Sequence, residues 1–137
     1  MRIISLECGF LEYTVTHPIT ACARQDDADE SGRTGTHEHC LYLLVAVEPR
    51  DLVKVNRAYK AIRRLIGQSG AKTVVINGWV HFTESELADD STSRLVLSRL
   101  AQRLAPELTV DLMPHGWSKT WHLNVLSQPF SQRYIHV

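Results

Sequence analysis

Residues 73–88, TVVINGWVHFTESELA, decide how the rest of the chain is read. Thr73, Val74, Val75 and Ile76 are four β-branched residues in a row, a run that suits a strand covered on both faces. Asn77-Gly78, a pair that tolerates positive φ, interrupts the run and is expected to end the strand in a turn. Beyond it come Trp79, Val80 and His81, the acidic pair Glu84 and Glu86, and then Asp89-Asp90-Ser91, a group able to cap a following helix. A buried strand thus delivers a titratable histidine to a loop beside a helix start. Ligands of α/β proteins usually bind in the crevice past the carboxyl ends of the strands, so this loop is the first place to look for chemistry.

Working outward, residues 39–47 (HCLYLLVAV) are nearly all apolar, as a central strand covered on both sides requires, and Pro49 ends them. Between residues 51 and 70 the apolar positions Leu52, Val55, Ala58, Tyr59, Ile62, Leu65 and Ile66 recur at three and four, which predicts an amphipathic helix. Its basic positions Lys54, Arg57, Lys60, Arg63 and Arg64 fit either a solvated face or a phosphate-contacting strip. Residues 91–104 repeat the helical spacing with Leu95, Val96, Leu97, Leu100, Ala101 and Leu104, closed by Pro106. Residues 109–113 (TVDLM) and 119–126 (KTWHLNVL) read as strands on either side of a turn at Pro114-His115-Gly116.

At the start, residues 2–8 (RIISLEC) and 10–17 (FLEYTVTH) are β-rich runs on either side of Gly9, read as a hairpin. In the second run Leu11, Tyr13 and Val15 alternate with Phe10, Glu12 and Thr14, which gives one packed face and one wetter face. Residues 18–38, with QDDADESGRTG at their centre, have little to bury and are expected to form a long exposed polar loop. Residues 127–137 show no clear period. The order of elements predicts an α/β fold, one domain over residues 1–137, with a mixed sheet and two main helices.

The 137 residues suffice for one core and leave no room for separate catalytic and recognition domains. Formal net charge is zero with 22% charged residues, so any nucleic-acid contact must rest on a local patch. The longest apolar run, residues 41–47, is far short of a membrane span, and the first residues lack a signal-peptide pattern; a cytoplasmic location is expected. Cys8, Cys22 and Cys40 form no CxxC arrangement and are expected to be idle thiols.

Taken in order, MRIISLECGFLEYTV, VVINGWVHFTESELA, the helix that follows it, and LMPHGWSKTWHLNVLSQPFSQR resemble the amino-terminal editing domain of archaeal-type threonyl-tRNA synthetases. That domain is a relative in fold of the D-aminoacyl-tRNA deacylases. The resemblance implies hydrolysis of the ester linking a wrong amino acid, chiefly serine, to the terminal adenosine of threonine tRNA. It implies a homodimer with no metal or cofactor, assistance from the tRNA 2′-hydroxyl, and tRNA and a threonyl-tRNA synthetase as partners. Carried over by position, the family's pocket histidine falls on His81 and its catalytic-site lysine on Lys119. The main-chain recognition segment falls on Gly78, Trp79 and Val80, with Ala46 and Val47 as a looser match. The chain departs from the family at Glu7-Cys8-Gly9, where His-Ser-Asp is usual, at Ser118 in place of a tyrosine, and at Gln132 in place of a carboxylate.

An aminoacyl ester is already labile, so placing a water and stabilising an oxyanion, each typically worth a few kcal/mol, would suffice. Lys119 suits the second task and His81 the first. Trp79, Trp117 and Trp121 offer faces on which adenine could stack, although core packing is the commoner fate of tryptophan, and with Ser118 they complete the expected binding set. Two rival readings come from other classes. One is a metal hydrolase using His37 and His39 on one strand face, with Glu38, Cys40 and Cys8 or His17 nearby. The other is a non-catalytic tRNA- or synthetase-binding module of the same fold. A deacylase of another small or D-configured aminoacyl-tRNA is a variant of the main reading.

Overall fold

The computed structural model describes residues 1–25, 28–82, 84 and 86–137. Asp26 and Asp27 of the polar segment, and Thr83 and Ser85 of the histidine loop, lie outside the described residues. The chain runs β1 (Arg2–Pro18), α1 (Ala21–Arg24), β2 (Thr34–Ala46), a 3-10 turn (Asp51–Lys54), α2 (Val55–Ser69), β3 (Thr73–Gly78) and α3 (Asp90–Leu104). It ends with β4 (Thr109–Leu112), β5 (Trp117–Val125) and β6 (Gln132–His136). The sheet order is β4-β3-β2-β1-β5, with β6 also on β1. β2, β3 and β4 are parallel, joined through α2 and α3, whereas β1 runs antiparallel to β2, β5 and β6. This is the α/β class expected, a mixed sheet with two main helices.

Both helices lie on one face of the sheet. Ala58, Ile62 and Ile66 of α2 and Val96, Leu97, Leu100 and Leu104 of α3 pack on Ile3, Leu41, Leu43, Val45, Val74 and Ile76. The other face has its own apolar layer, in which Leu11, Tyr13, Val15, Tyr42, Val75, Met113 and Trp117 pack together. β3 is therefore buried on both sides, which is why it reads as an unbroken apolar run. Asp89 caps α3 by accepting from the Thr92 backbone N–H at 2.8 Å. Leu52, Val53 and Leu95, apolar by sequence, are exposed.

The expected hairpin at Gly9 does not form. β1 continues through it as one 17-residue strand, roughly 55 Å long at 3.3 Å per residue. That length gives β1 room for β6 along Arg2 to Leu6 and β5 along Cys8 to Pro18. Gly9 marks a register irregularity toward β5 instead, where the pairing shifts between Cys8–Val125 and Phe10–Asn124. Toward β2 the register runs on unbroken, and opposite Gly9 His39 takes a left-handed backbone with φ 41°. Each strand reverses its facing there. Ile3, Ser5 and Glu7 are buried toward the helices, whereas Cys8, Leu11, Tyr13 and Val15 are buried toward the other layer.

The same reversal undoes the rival metal reading. It sends His37 and His39 to different partners: His37 Nε2 lies 2.8 Å from Asp111 Oδ2, and His39 Nε2 lies 3.2 Å from Glu7 Oε1. No cluster of three or more His, Cys, Asp or Glu side chains suited to a metal is found among the described residues.

Three further expectations are corrected. Residues 18–38 are not one loop: α1 interrupts them, and β2 begins at Thr34 because the long β1 supplies partners out to Thr14. Residues 77–78 are not a turn. Asn77 and Gly78 stay in β3, paired with Leu44 and Val45, and the Trp79 N–H still donates to Val45 O at 2.9 Å. Residues 132–136, which lack a legible period, form the edge strand β6, alternately exposed and half-buried.

The N-terminal ammonium of Met1 is fully buried, 2.7 Å from Asp51 Oδ1 and 2.8 Å from Glu48 Oε2. It ties the start of β1 to the turn that opens α2.

Candidate active site

Past the carboxyl end of β3 lies a cavity of about 290 Å³. One wall is Asn77, Gly78, Trp79, Val80 and His81. The other is the turn and first residues of β5, His115 to Lys119 with Trp121, and Ile19 and Thr20 close one end. The two walls meet because β4 runs parallel beside β3 and ends with it: Met113 N–H donates to Ile76 O at 2.9 Å, and the turn that follows carries His115 against Gly78 on its way into β5.

The wall from β5 is braced by a polar chain. Ile19 N–H donates to Gly116 O at 2.8 Å, Thr20 Oγ1 donates to Asp90 Oδ2 at 2.7 Å, and His115 Nε2 lies 2.7 Å from Asp90 Oδ1. Gly116 sits at φ +79°, and a Cβ there would come 2.3 Å from Thr20 Oγ1, so no other residue fits. Burial holds the His115 imidazole below the ordinary histidine value.

Gly78 is needed for a different reason. A Cβ on it would stand 2.4 Å from His115 Nδ1 and 3.0 Å from Leu97 Cδ1. Gly78→Ala is therefore expected to push His115 off Asp90, destabilise the fold by about 1–3 kcal/mol and distort the cavity. Urea denaturation read beside activity checks this; unchanged values for both would show that the ring moves aside freely.

Lys119 Nζ donates to Trp117 O at 2.8 Å. Burial, with a smaller contribution from the Arg33 charge, pushes its ammonium down to about 8, so it is cationic at neutral pH yet close to releasing its proton. His81 is exposed, its ring set edge-on to Trp79 with centroids 4.9 Å apart. Trp79 also meets Trp121 edge-on at 5.3 Å, and Tyr42 meets Trp121 at 5.7 Å. Trp117 is the buried one of the three tryptophans, at 6% exposure.

Of the residues singled out by sequence, Lys119, His81, Gly78, Trp79, Val80, Trp117 and Ser118 line this one cavity. Ala46 and Val47 do not. Both are buried, Val47 in the layer under the helices, where its carbonyl accepts from Ala88 N–H at 2.9 Å. Gln132 also lies elsewhere, paired with Leu6 near the start of β1. Sequence reading passed over Asn77, His115, Thr20 and Asp90. The first two read by sequence as turn residues, and the hydrogen bond that joins the last two spans 70 residues.

A sequence model of the family described as the archaea-specific editing domain of threonyl-tRNA synthetase matches residues 1–137. The chain is 29% identical over 135 residues to a threonine–tRNA ligase of Cenarchaeum symbiosum (strain A), covering 98% of this chain and 21% of the ligase. It is 28% identical over 133 residues to that of Nitrosopumilus maritimus (strain SCM1), covering 96% and 21%. The chain thus spans about a fifth of the length of these relatives. Among solved structures, the c-Myc DNA Unwinding Element Binding Protein shares the fold, with a TM-score of 0.62 at 10% identity over 100% of this chain and 99% of that one. With the family pattern matched from the first residue to the last, the chain belongs to the archaea-specific editing domains of threonyl-tRNA synthetase.

Proposed function

We propose that this domain is an aminoacyl-tRNA deacylase that hydrolyses mischarged seryl-tRNA for threonine. The observation that carries the reading is the pairing of Lys119 and His81 across one cavity large enough for an aminoacyl group with part of its ribose. A water adds to the ester carbonyl carbon, and the oxyanion that forms is met by the Lys119 ammonium. The carbonyl then re-forms as the bond to the ribose oxygen breaks. The water's proton passes to that oxygen with help from the neighbouring tRNA hydroxyl, giving free serine and intact tRNA. His81, at the exposed rim, holds the terminal adenosine, with Trp79 and Trp121 as stacking faces. No metal takes part in this sequence. Membership of the editing family supports the reaction class, and the deacylase-like fold is compatible with it.

On the same reading the partners are the acceptor end of threonine tRNA and a threonyl-tRNA synthetase, and the domain works as a cytoplasmic homodimer. No described helix is long and apolar enough to cross a membrane.

The test is a deacylation panel of seryl-, threonyl- and D-aminoacyl-tRNAs with the unaltered protein and His81→Ala, each with and without chelator. Seryl ester should be lost fastest, independently of chelator, and His81→Ala should weaken tRNA binding more than the chemical step. Ester loss at the uncatalysed rate with tRNA binding intact would favour the binding module suggested by the departures at Glu7, Ser118 and Gln132. Fastest loss of a D-aminoacyl ester would reassign the substrate.

A further inference from the structure

Asn77 stands at the floor of the cavity with 1% of its surface exposed. Its Nδ2 donates to the Tyr42 hydroxyl at 2.9 Å, while its Oδ1, also buried, has no hydrogen-bond partner among the described residues. Trp117 Nε1, on the facing wall, is buried and likewise without a partner among them. Leaving such an atom unpaired disfavours the fold, and two at one cavity mark a surface built to meet polar atoms of something else. A third, His115 Nδ1, is packed against Gly78 and does not offer itself in the same way.

We infer that Asn77 reads the side-chain hydroxyl of the amino acid to be removed, with Trp117 as its counterpart donor. The inference rests on the deacylase reading above and names the group that gives the site its preference for a hydroxylated side chain. An aminoacyl ester brings three kinds of donor to the floor: the α-ammonium, the ribose hydroxyl and the side-chain hydroxyl. Among the described residues no Asp or Glu lines the cavity, and Lys119 already places a cation there, so a second buried cation would find no carboxylate among them. The ribose is tethered to the rest of the tRNA and must remain at the rim, where His81 and Val80 are exposed. What reaches the floor is the small end of the substrate, its side chain.

A hydroxyl both donates and accepts, so it has the chemistry to meet an acceptor such as Asn77 Oδ1 and a donor such as Trp117 Nε1. The argument is indifferent to which way the Asn77 amide is turned. The Tyr42 hydroxyl accepts from Nδ2 or donates to Oδ1, and a hydroxyl meets whichever amide atom is left. A methyl in that place would leave two buried polar atoms unmet. Sites of this kind reject analogues lacking the polar group far more strongly than an apolar pocket rejects an extra methylene.

The experiment compares serine with alanine, which differ by that hydroxyl alone. Hydrolysis of seryl- and alanyl-tRNA prepared on the same tRNA is measured beside calorimetric binding of the ester-resistant 3′-amide analogues of seryl- and alanyl-adenosine. The unaltered protein should favour serine at least tenfold in both measurements. Asn77→Leu should lose most of that preference through the seryl substrate, with the alanyl values little changed. A serine-to-alanine ratio near one in the unaltered protein overturns the inference without any variant, as does failure to bind either analogue. An Asn77→Leu protein that folds and keeps the ratio overturns it too. Preferential binding of the seryl analogue without any hydrolysis would sink the deacylase reading and leave Asn77 in its role.

Discussion

Lys119→Met is expected to lower the rate of seryl-tRNA deacylation at least about tenfold, or about 1.4 kcal/mol of barrier, without lowering the stability of the fold. The two halves of this result have one cause. Burial holds the ammonium down to about 8 from the ordinary 10.5, so keeping it charged at neutral pH works against folding. In the folded chain the group binds its proton less tightly than in the unfolded chain. Its unfavourable contribution is therefore complete below pH about 8 and is relieved as pH rises from there toward 10.5. Methionine removes the cation and most of that opposition, a gain on the order of 1 kcal/mol after the lost bond to the Trp117 carbonyl. If the ammonium is the form that works, the enzymatic rate of the unaltered protein falls as pH rises through about 8. A rate unchanged in Lys119→Met would remove the lysine from the mechanism. A large loss of stability would show that it serves the fold instead.

The greatest loss of stability is expected from Asp51→Asn, about 3–5 kcal/mol, read from the midpoint of chemical denaturation. Asp51 is fully buried. Its Oδ1 lies 2.7 Å from the Met1 ammonium and 2.9 Å from Lys54 Nζ, and its Oδ2 accepts from Glu48 N–H at 2.7 Å. The amide would turn a donor toward groups that are themselves donors and leave a buried ammonium with one carboxylate, Glu48. Lys54→Met, which removes only the partly exposed member, should cost far less. The same cluster sets an acid limit. Hydrogen bonding to the ammonium, aided by Arg2, brings the Glu48 carboxyl down to about 2. A carboxyl more acidic in the folded chain stabilises it above its ordinary value near 4.5, and that contribution is lost as pH falls through about 2. Equal costs for the two substitutions would show that the ammonium tolerates losing a charge partner.

The elements that could be read from the chain are those whose faces are covered uniformly. β3 and the second half of β2 are buried on both sides and so appear as apolar runs. α2 and α3 lie on the sheet by one stripe each, so Ala58, Ile62 and Ile66, or Val96, Leu100 and Leu104, recur at helical spacing. The misreadings sit where a residue's state is set by a distant partner. Gly9 reads as a turn, but whether β1 continues depends on β5 and β6, more than a hundred residues away. β6 is an edge strand that buries little of its own, so it left no period to find.

The site divides in the same way. The residues brought to attention by their order along the chain, Gly78, Trp79, His81 and Lys119, share a cavity because the turn that leaves β4 brings the start of β5 to the end of β3. Asn77 and His115 were passed over, since asparagine and histidine beside glycine are ordinary turn chemistry. Only their surroundings show one as a buried floor residue and the other as a brace.

Sequence by itself determined the helices, the central strands and the α/β class, because each follows from hydrophobic spacing within one segment and needs no partner to be seen. Tertiary structure alone decided where strands end, which side of the sheet His37 and His39 occupy, and that an asparagine amide lies buried with one polar atom unmet among the described residues. Those are properties of pairs of segments, fixed by register and packing between residues far apart in the chain.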